Sequence, residues 1–102
     1  MTTAMWIAHV EVLDPEAYGK YAALAGPAIA AHGGHFLARG GRYQIMEGPK
    51  DFQRFIVIEF PTLEAGVKCF ESPEYVVAAA FRRDGAGVVE NVIVEGGEAT
   101  LI

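Results

Sequence analysis

Apolar and polar residues alternate from Met5 to Leu13 in a run rich in strand formers, and this period of two predicts a first strand. Asp14-Pro15-Glu16 follows as an N-cap, a proline at the first helical position and an acid in the first turn. The pattern then shifts to helical spacing, with Tyr21, Leu24 and Ala28 on one stripe. Gly26-Pro27 predicts a kink or split, with the helix resuming through Ile29 to His32 and ending at Gly33-Gly34. A second strand is expected from His35 to about Glu47, carrying Gly40-Gly41 as an interior bulge or bend. Gly48-Pro49-Lys50-Asp51 forms the central turn, and Phe52 to Phe60 is a strongly apolar third strand. Thr62 caps a second helix that stops near Ser72-Pro73, where another short helix begins with Ser72 as cap and Pro73 at its first position. The fourth strand is Val88 to Glu95.

The pattern repeats at an offset of 48 residues. Val10-Glu11-Val12 is answered by Ile58-Glu59-Phe60, Glu16-Ala17 and Lys20 by Glu64-Ala65 and Lys68, and Ile45, Glu47 and Gly48 by Ile93, Glu95 and Gly96. Two βαβ halves in one domain are implied. The fold class expected is therefore α+β, a ferredoxin-like βαββαβ chain with a four-stranded antiparallel sheet and its helices on one face. The domain spans residues 1–97, and residues 98–102 form a C-terminal tail.

Alternation assigns faces. Val10, Val12, Ile58 and Phe60 point one way, while Ile7, His9, Glu11, Phe55, Val57 and Glu59 point the other. Both sets are largely apolar, yet the helices cover only one face, so the second needs a partner. A second copy is the simplest cover. Packing two such faces would bury ~1,600 Å² or more, the scale of a stable interface, and symmetry favours a closed homodimer.

Composition narrows the classes. A 102-residue chain makes one domain able to bury roughly two-thirds of its unfolded surface. The hydrophobic fraction of 52% is spread over short runs, none near the ~20 residues needed to cross a bilayer. The N-terminus lacks a basic stretch followed by an apolar one, so no membrane association and a cytoplasmic location are expected. The single cysteine, Cys69, has no internal disulfide partner and sits among apolar neighbours as a buried structural thiol. A net charge of −5 argues against nucleic acid as a partner, which makes Arg39-Gly-Gly-Arg42 strand punctuation rather than an RNA-binding box.

Asp14-Pro15-Glu16-Ala17-Tyr18 with Tyr21, Gly33-Gly34-x-Phe36-Leu37-Ala38-Arg39-Gly40-Gly41, Glu47-Gly48, Ile58-Glu59-Phe60-Pro61, Ser72-Pro73-Glu74-Tyr75 and Val94-Glu95-Gly96 form an ordered set. As a set, they resemble the domain of unknown function 1330 family, from about residue 5 to 97. The resemblance implies a ferredoxin-like domain of the dimeric α/β-barrel superfamily, in which two sheets pack face to face. It implies no settled reaction. The chain departs from the family at His35, where Arg or Lys is common, and at Cys69-Phe70, where bulkier aromatic residues are frequent.

Candidate chemistry lies in the few polar groups expected on the inter-sheet face. His9, Glu59 and Asn91 project there in this reading, and Arg39 joins them if the Gly40-Gly41 bend preserves parity. A histidine titrating near neutrality beside a carboxylate and an arginine can deprotonate an acidic substrate and hold the oxyanion. Alternatively His9 is a satisfied interface histidine and the acids sit at solvated strand ends. Glu11 and Glu59 lie toward opposite ends of adjacent strands, too far apart to act as a carboxylate pair.

Tyr18, Tyr21 and Tyr75 either line a pocket between helix and sheet or pack in the core with hydroxyls reaching water. Tyr75 joins the candidate ligand-binding residues. His32-Gly33-Gly34-His35 offers two imidazoles but no third ligand, and glycine capping explains the same letters, so no metal is expected. Arg82-Arg83 reads as a solvated cap completing the last helix dipole, and Arg54 as paired across strands or against a partner subunit. No phosphate loop, nucleophile elbow or Cys-pair motif is present, and no cofactor is expected.

Two classes remain. One is a homodimer that binds a small organic molecule without turnover. The other is a cofactor-independent oxygenase or isomerase acting on an aromatic or enolisable acid. A cavity between helices and sheet lined by His9 or Arg39 favours the enzyme, and a filled inter-sheet core favours the binding module.

Overall fold

A computed structural model describes residues 2–100. The elements run β1 (Ala4–Val12), α1 (Pro15–Ala31), β2 (His35–Arg39), β3 (Arg54–Phe60), α2 (Leu63–Glu71), α3 (Pro73–Arg83) and β4 (Gly87–Glu95). A 3-10 turn at Gly97–Ala99 begins the expected tail, whose last two residues lie outside the described residues. The four strands form one antiparallel sheet in the order β2-β3-β1-β4, the ferredoxin-like arrangement.

The helix ends follow their local chemistry. The Asp14 carboxylate accepts from the N–H groups of Glu16 and Ala17, Thr62 Oγ1 from Ala65 N–H, and Ser72 Oγ from Tyr75 N–H. At the end of α1, Gly33 N–H bonds Ala30 O at 3.1 Å and Gly34 N–H bonds Ile29 O at 2.9 Å, with Gly33 at φ +83°. This crossed pair of bonds closes the helix and needs the left-handed conformation glycine supplies.

α1 is not split at Gly26-Pro27. It continues as one element to Ala31. Proline removes only the N–H that would meet Ala23 O, and Ala23 and Pro27 are both exposed, so that carbonyl faces solvent rather than the core. Within the predicted stripe Tyr21 and Ala28 are buried, but Leu24 is exposed and Ala25 takes the inward position.

β2 is the main departure. It stops at Arg39 rather than Glu47, and residues 41–53 form no strand. Gly40 turns the chain at φ +72°, its N–H making a last bond to Phe55 O. Gln53 N–H turns to Val10 O of β1, so β3 begins at Arg54 and offers no partner to a longer β2. The 48-residue repeat consequently holds for the first strand end and helix start of each half but fails at its third match: Ile45 and Glu47 are in the loop, Ile93 and Glu95 in β4.

The core lies between the helices and one sheet face. Trp6, Ala8 and Val10 of β1 and Ile56, Ile58 and Phe60 of β3 pack with Tyr18, Tyr21, Ala25, Ile29, Cys69 and Tyr75. Trp6 is 2% exposed and meets Tyr75 edge-on at 5.1 Å between ring centroids. The opposite face carries Ile7 beside Val57 and His9 beside Phe55, with Val92 and Val94 well exposed on β4.

Candidate functional site

A cleft lies between α1 and the sheet. Every strand contributes to it: Trp6, Ala8 and Val10 from β1, Phe36 and Arg39 from β2, Arg54, Ile56 and Ile58 from β3, and Val89 and Asn91 from β4, under Tyr18, Tyr21 and neighbours of α1. Its cavity is about 20 Å³, room for about one water. The walls are apolar and aromatic, and the polar lining is Arg39, Arg54, Asn91 and the two tyrosines.

Register decides which candidates meet there. β2 carries a bulge between Phe36 and Ala38, so Arg39 faces Ile56 and lies on the helix side of the sheet, not the open side. Its guanidinium stacks on Phe36, 4.2 Å from the ring centroid, and donates to Ala22 O at 3.4 Å. Asn91 pairs with Ala8 and is on the helix side as well, where its Oδ1 accepts from Trp6 Nε1 at 3.0 Å. Both corrections have one cause: a one-residue difference in register reverses the face of a strand residue.

His9 and Glu59 stay on the open face. His9 sits between Phe55 and Glu90 in register and meets the rings of Phe52 and Phe55 edge-on at 5.7 and 5.1 Å. Glu59 pairs with His35, Oε1 to Nε2 at 3.2 Å. His9 and Arg39 are thus separated by the sheet and do not share a site within one subunit. His32 caps α1 with Nδ1 on Ala28 O at 2.9 Å, so the two imidazoles of the His32/His35 pair take different partners. Among the described residues no group of three or more His, Cys, Asp or Glu could hold a metal ion.

Tyr75 is fully buried behind the cleft. Its hydroxyl does not reach water but lies 2.9 Å from Tyr21 Oη and accepts from Arg82 Nη2 at 3.2 Å. Arg82 therefore is not a solvated cap: it is 7% exposed, and only Arg83 lies on the surface, stacked over Phe70. α3 packs on α1, and the Arg82 guanidinium of α3 lies 5.4 Å from the ring centroid of Tyr21 on α1. Burial raises the pKa of Tyr18, opposed by the nearby Arg54, and raises that of Tyr21, with Tyr75 adding to it. Burial opposes the charge on Arg82, but the tyrosine hydroxyls outweigh it and the group stays cationic.

Arg54 is the site residue that sequence reading missed. It lies on the helix side opposite Val10, its Nε is buried and unpaired, and its guanidinium sits 5.8 Å from the Tyr18 ring centroid. A Cβ at Gly40 would collide with this guanidinium. The signal was available, because Arg54 shares parity with Ile56, Ile58 and Phe60. Cys69 is buried in α2 away from the cleft lining, its Sγ 3.9 Å from Ala28 O, and burial pushes its thiol up to about 11.

A family model for a domain of unknown function, DUF1330, matches residues 3–97. The chain belongs to that family. DUF1330 membership agrees with the ordered set of residues from Asp14 to Gly96. No curated protein matches. Among solved structures the chain is similar to the RPA0582 protein of unknown function from Rhodopseudomonas palustris, at TM-score 0.72 and 22% identity over 94% of this chain and 83% of that one. It is similar to SnoaB, a cofactor-independent oxygenase from Streptomyces nogalater, at TM-score 0.68 and 16% identity over 99% and 98%. A third is a dimeric protein of unknown function with a ferredoxin-like fold from Bacteroides fragilis, at TM-score 0.55 and 15% identity over 92% and 96%. At these identities the likeness is one of fold.

Proposed function

We propose that this DUF1330 protein is a homodimer that binds a small organic molecule in the cleft between α1 and the sheet. The observation that carries the reading is the convergence of Arg39, Arg54, Asn91, Tyr18 and Tyr21 on one cleft with otherwise apolar walls. A few fixed polar groups in an apolar setting are the usual make-up of a small-molecule site. The cavity is small as it stands, and its exposed lining residues, Arg39 and Asn91, belong to the two edge strands, where side-chain movement widens it without disturbing the core. The dimer uses the open face: Val92 and Val94 are exposed there beside the half-buried Ile7 and Val57, and the Bacteroides fragilis neighbour is dimeric. His9 is then an interface histidine.

The test is an unbiased fragment screen by thermal shift, repeated on Ala22→Leu, which fills the cleft. Hits that stabilise the wild type and lose their effect in Ala22→Leu support the site. Hits unaffected by the substitution place binding elsewhere and sink the reading.

A second reading, a cofactor-independent oxygenase or an isomerase acting on an aromatic or enolisable acid, draws support from the cleft lined by Arg39 and from the fold shared with SnoaB. Oxygen uptake, or deuterium exchange at an enolisable carbon, with the hits from that screen separates it from simple binding.

A further inference from the structure

The polar groups around the cleft are almost all donors. Trp6 Nε1 can only donate, so its partner on Asn91 is the carbonyl oxygen, and the amide NH₂ is the end left over. Among the described residues that NH₂ has no protein partner. Arg54 Nε is buried and unpaired, and Arg39 makes a single long bond to Ala22 O. Tyr21 and Tyr75 bring two hydroxyl protons to a cluster that consumes one of them. Arg82 donates to Tyr75, the two hydroxyls share one proton between their oxygens, and the other proton needs an acceptor, whichever way the shared bond runs. Of this pair, Tyr21 is the one that lines the cleft. Two guanidiniums, a primary amide and the hydroxyls of Tyr18 and Tyr21 thus surround it, the Tyr18 hydroxyl lying against Arg54, and among the described residues no Asp, Glu or His lines it.

The buried, unpaired Arg54 Nε is costly, the Arg39 guanidinium and the Asn91 NH₂ stand at the exposed rim free to meet a ligand, and a cationic cleft without a carboxylate has no internal counter-charge. Resting on the small-molecule reading above, we propose that the ligand is an anion rich in acceptors with an apolar body, a carboxylate or enolate. It is held by Arg39, Arg54 and the NH₂ of Asn91, and Trp6 sets the orientation of that amide. Arginine forks match the two oxygens of a carboxylate, and Trp6, Phe36, Ile58 and Val89 provide the apolar wall for the remainder. Asn91 is the specificity-determining residue: its amide oxygen is engaged by the indole, so a ligand meets only donors there.

Trp6 is the sole tryptophan of the chain, so its fluorescence and its indole N–H resonance report on the cleft directly. The probes are benzoate, phenylacetate and hexanoate, each titrated beside its primary amide. At least one carboxylate is expected to shift the Trp6 N–H resonance with an affinity tenfold or more above that of its amide. Asn91→Asp, which keeps the acceptor for Trp6 and replaces the NH₂ by a negative oxygen, is expected to abolish that response while leaving the fold unchanged by circular dichroism. Arg54→Met is expected to weaken it tenfold or more. Amides that bind as well as carboxylates, or an Asn91→Asp protein that binds the carboxylate unchanged, overturn the anion assignment and leave the binding reading standing. Silence of Trp6 toward all six compounds overturns the anion assignment, and silence toward the hits of the fragment screen as well overturns both.

Discussion

Arg82 Nη2 donates to the Tyr75 hydroxyl at 3.2 Å inside the core, a buried guanidinium bonded to a phenol rather than to a carboxylate. The charge is tolerated because hydroxyl oxygens of a two-tyrosine cluster face it, while its Nε remains unpaired. Removing the acceptor and removing the charge should therefore have different consequences. Tyr75→Phe leaves the guanidinium buried with its main partner gone and is expected to cost about 1–3 kcal/mol. Arg82→Met keeps the apolar volume without the charge and is expected to cost less than Tyr75→Phe, since well-packed apolar replacements of buried charges are often neutral. Urea unfolding of both variants and the double mutant checks this; an Arg82→Met protein less stable than Tyr75→Phe contradicts it.

Gly34 sits where α1 hands over to β2, against the core. A Cβ there would stand 2.7 Å from Ile29 Cγ2 and from the Phe60 ring, both fully packed groups with nowhere to retreat. Gly34→Ala is expected to lose about 1–3 kcal/mol by overpacking. Gly19→Ala, on an exposed part of α1 with nothing within 4 Å of the added carbon, should gain up to about 1 kcal/mol of helix propensity. Thermal melts of the two proteins should move in opposite directions.

The open sheet face sets the assembly prediction. Val57 pairs with Ile7 at the middle of that face. Wild-type protein should scatter light as about twice the 11.0 kDa chain mass, and Val57→Asp should shift it to the monomer by placing an unpaired charge in the contact. A monodisperse wild-type monomer at micromolar concentration rules out the dimer.

Alkaline pH should destabilise the fold. Burial pushes the Cys69 thiol up to about 11, with Glu74 adding a smaller push, and raises Tyr18 and Tyr21. In the unfolded chain a thiol ionises near pH ~8.5 and a phenol near ~10. Between about pH 8.5 and 11 the unfolded chain sheds the thiol proton while the folded one keeps it, so the unfolded state binds fewer protons and stability falls as pH rises. The stabilisation is fully present below about pH 8.5. The melting temperature should drop from pH 9 to 11, and less steeply in Cys69→Ala. At pH 8 the native thiol should resist alkylation, since the reactive species is the thiolate.

The sequence by itself determined the elements whose causes are local. Asp14, Pro15, Thr62, Ser72 and Pro73 set helix starts through bonds or dihedrals within three or four residues, Gly33-Gly34 set the end of α1, and strict alternation in β1 and β3 assigned their faces. Even Arg54 was legible by parity with Ile56 and Ile58, although its residue type suggested a surface pair. Tertiary structure decided what depends on pairing. The bulge in β2 brought Arg39 to the helix side, the register of β4 did the same for Asn91, and the absence of a strand partner beyond Arg54 ended β2 at Arg39. In β4 the sets Val88, Val92, Val94 and Val89, Ile93 are both apolar, so hydrophobicity could not choose between its faces. Arg82 was buried only by the docking of α3 on α1, which joins residues far apart in the chain, Tyr21 and Tyr75 being 54 positions apart, where one-dimensional pattern carries no information about distance.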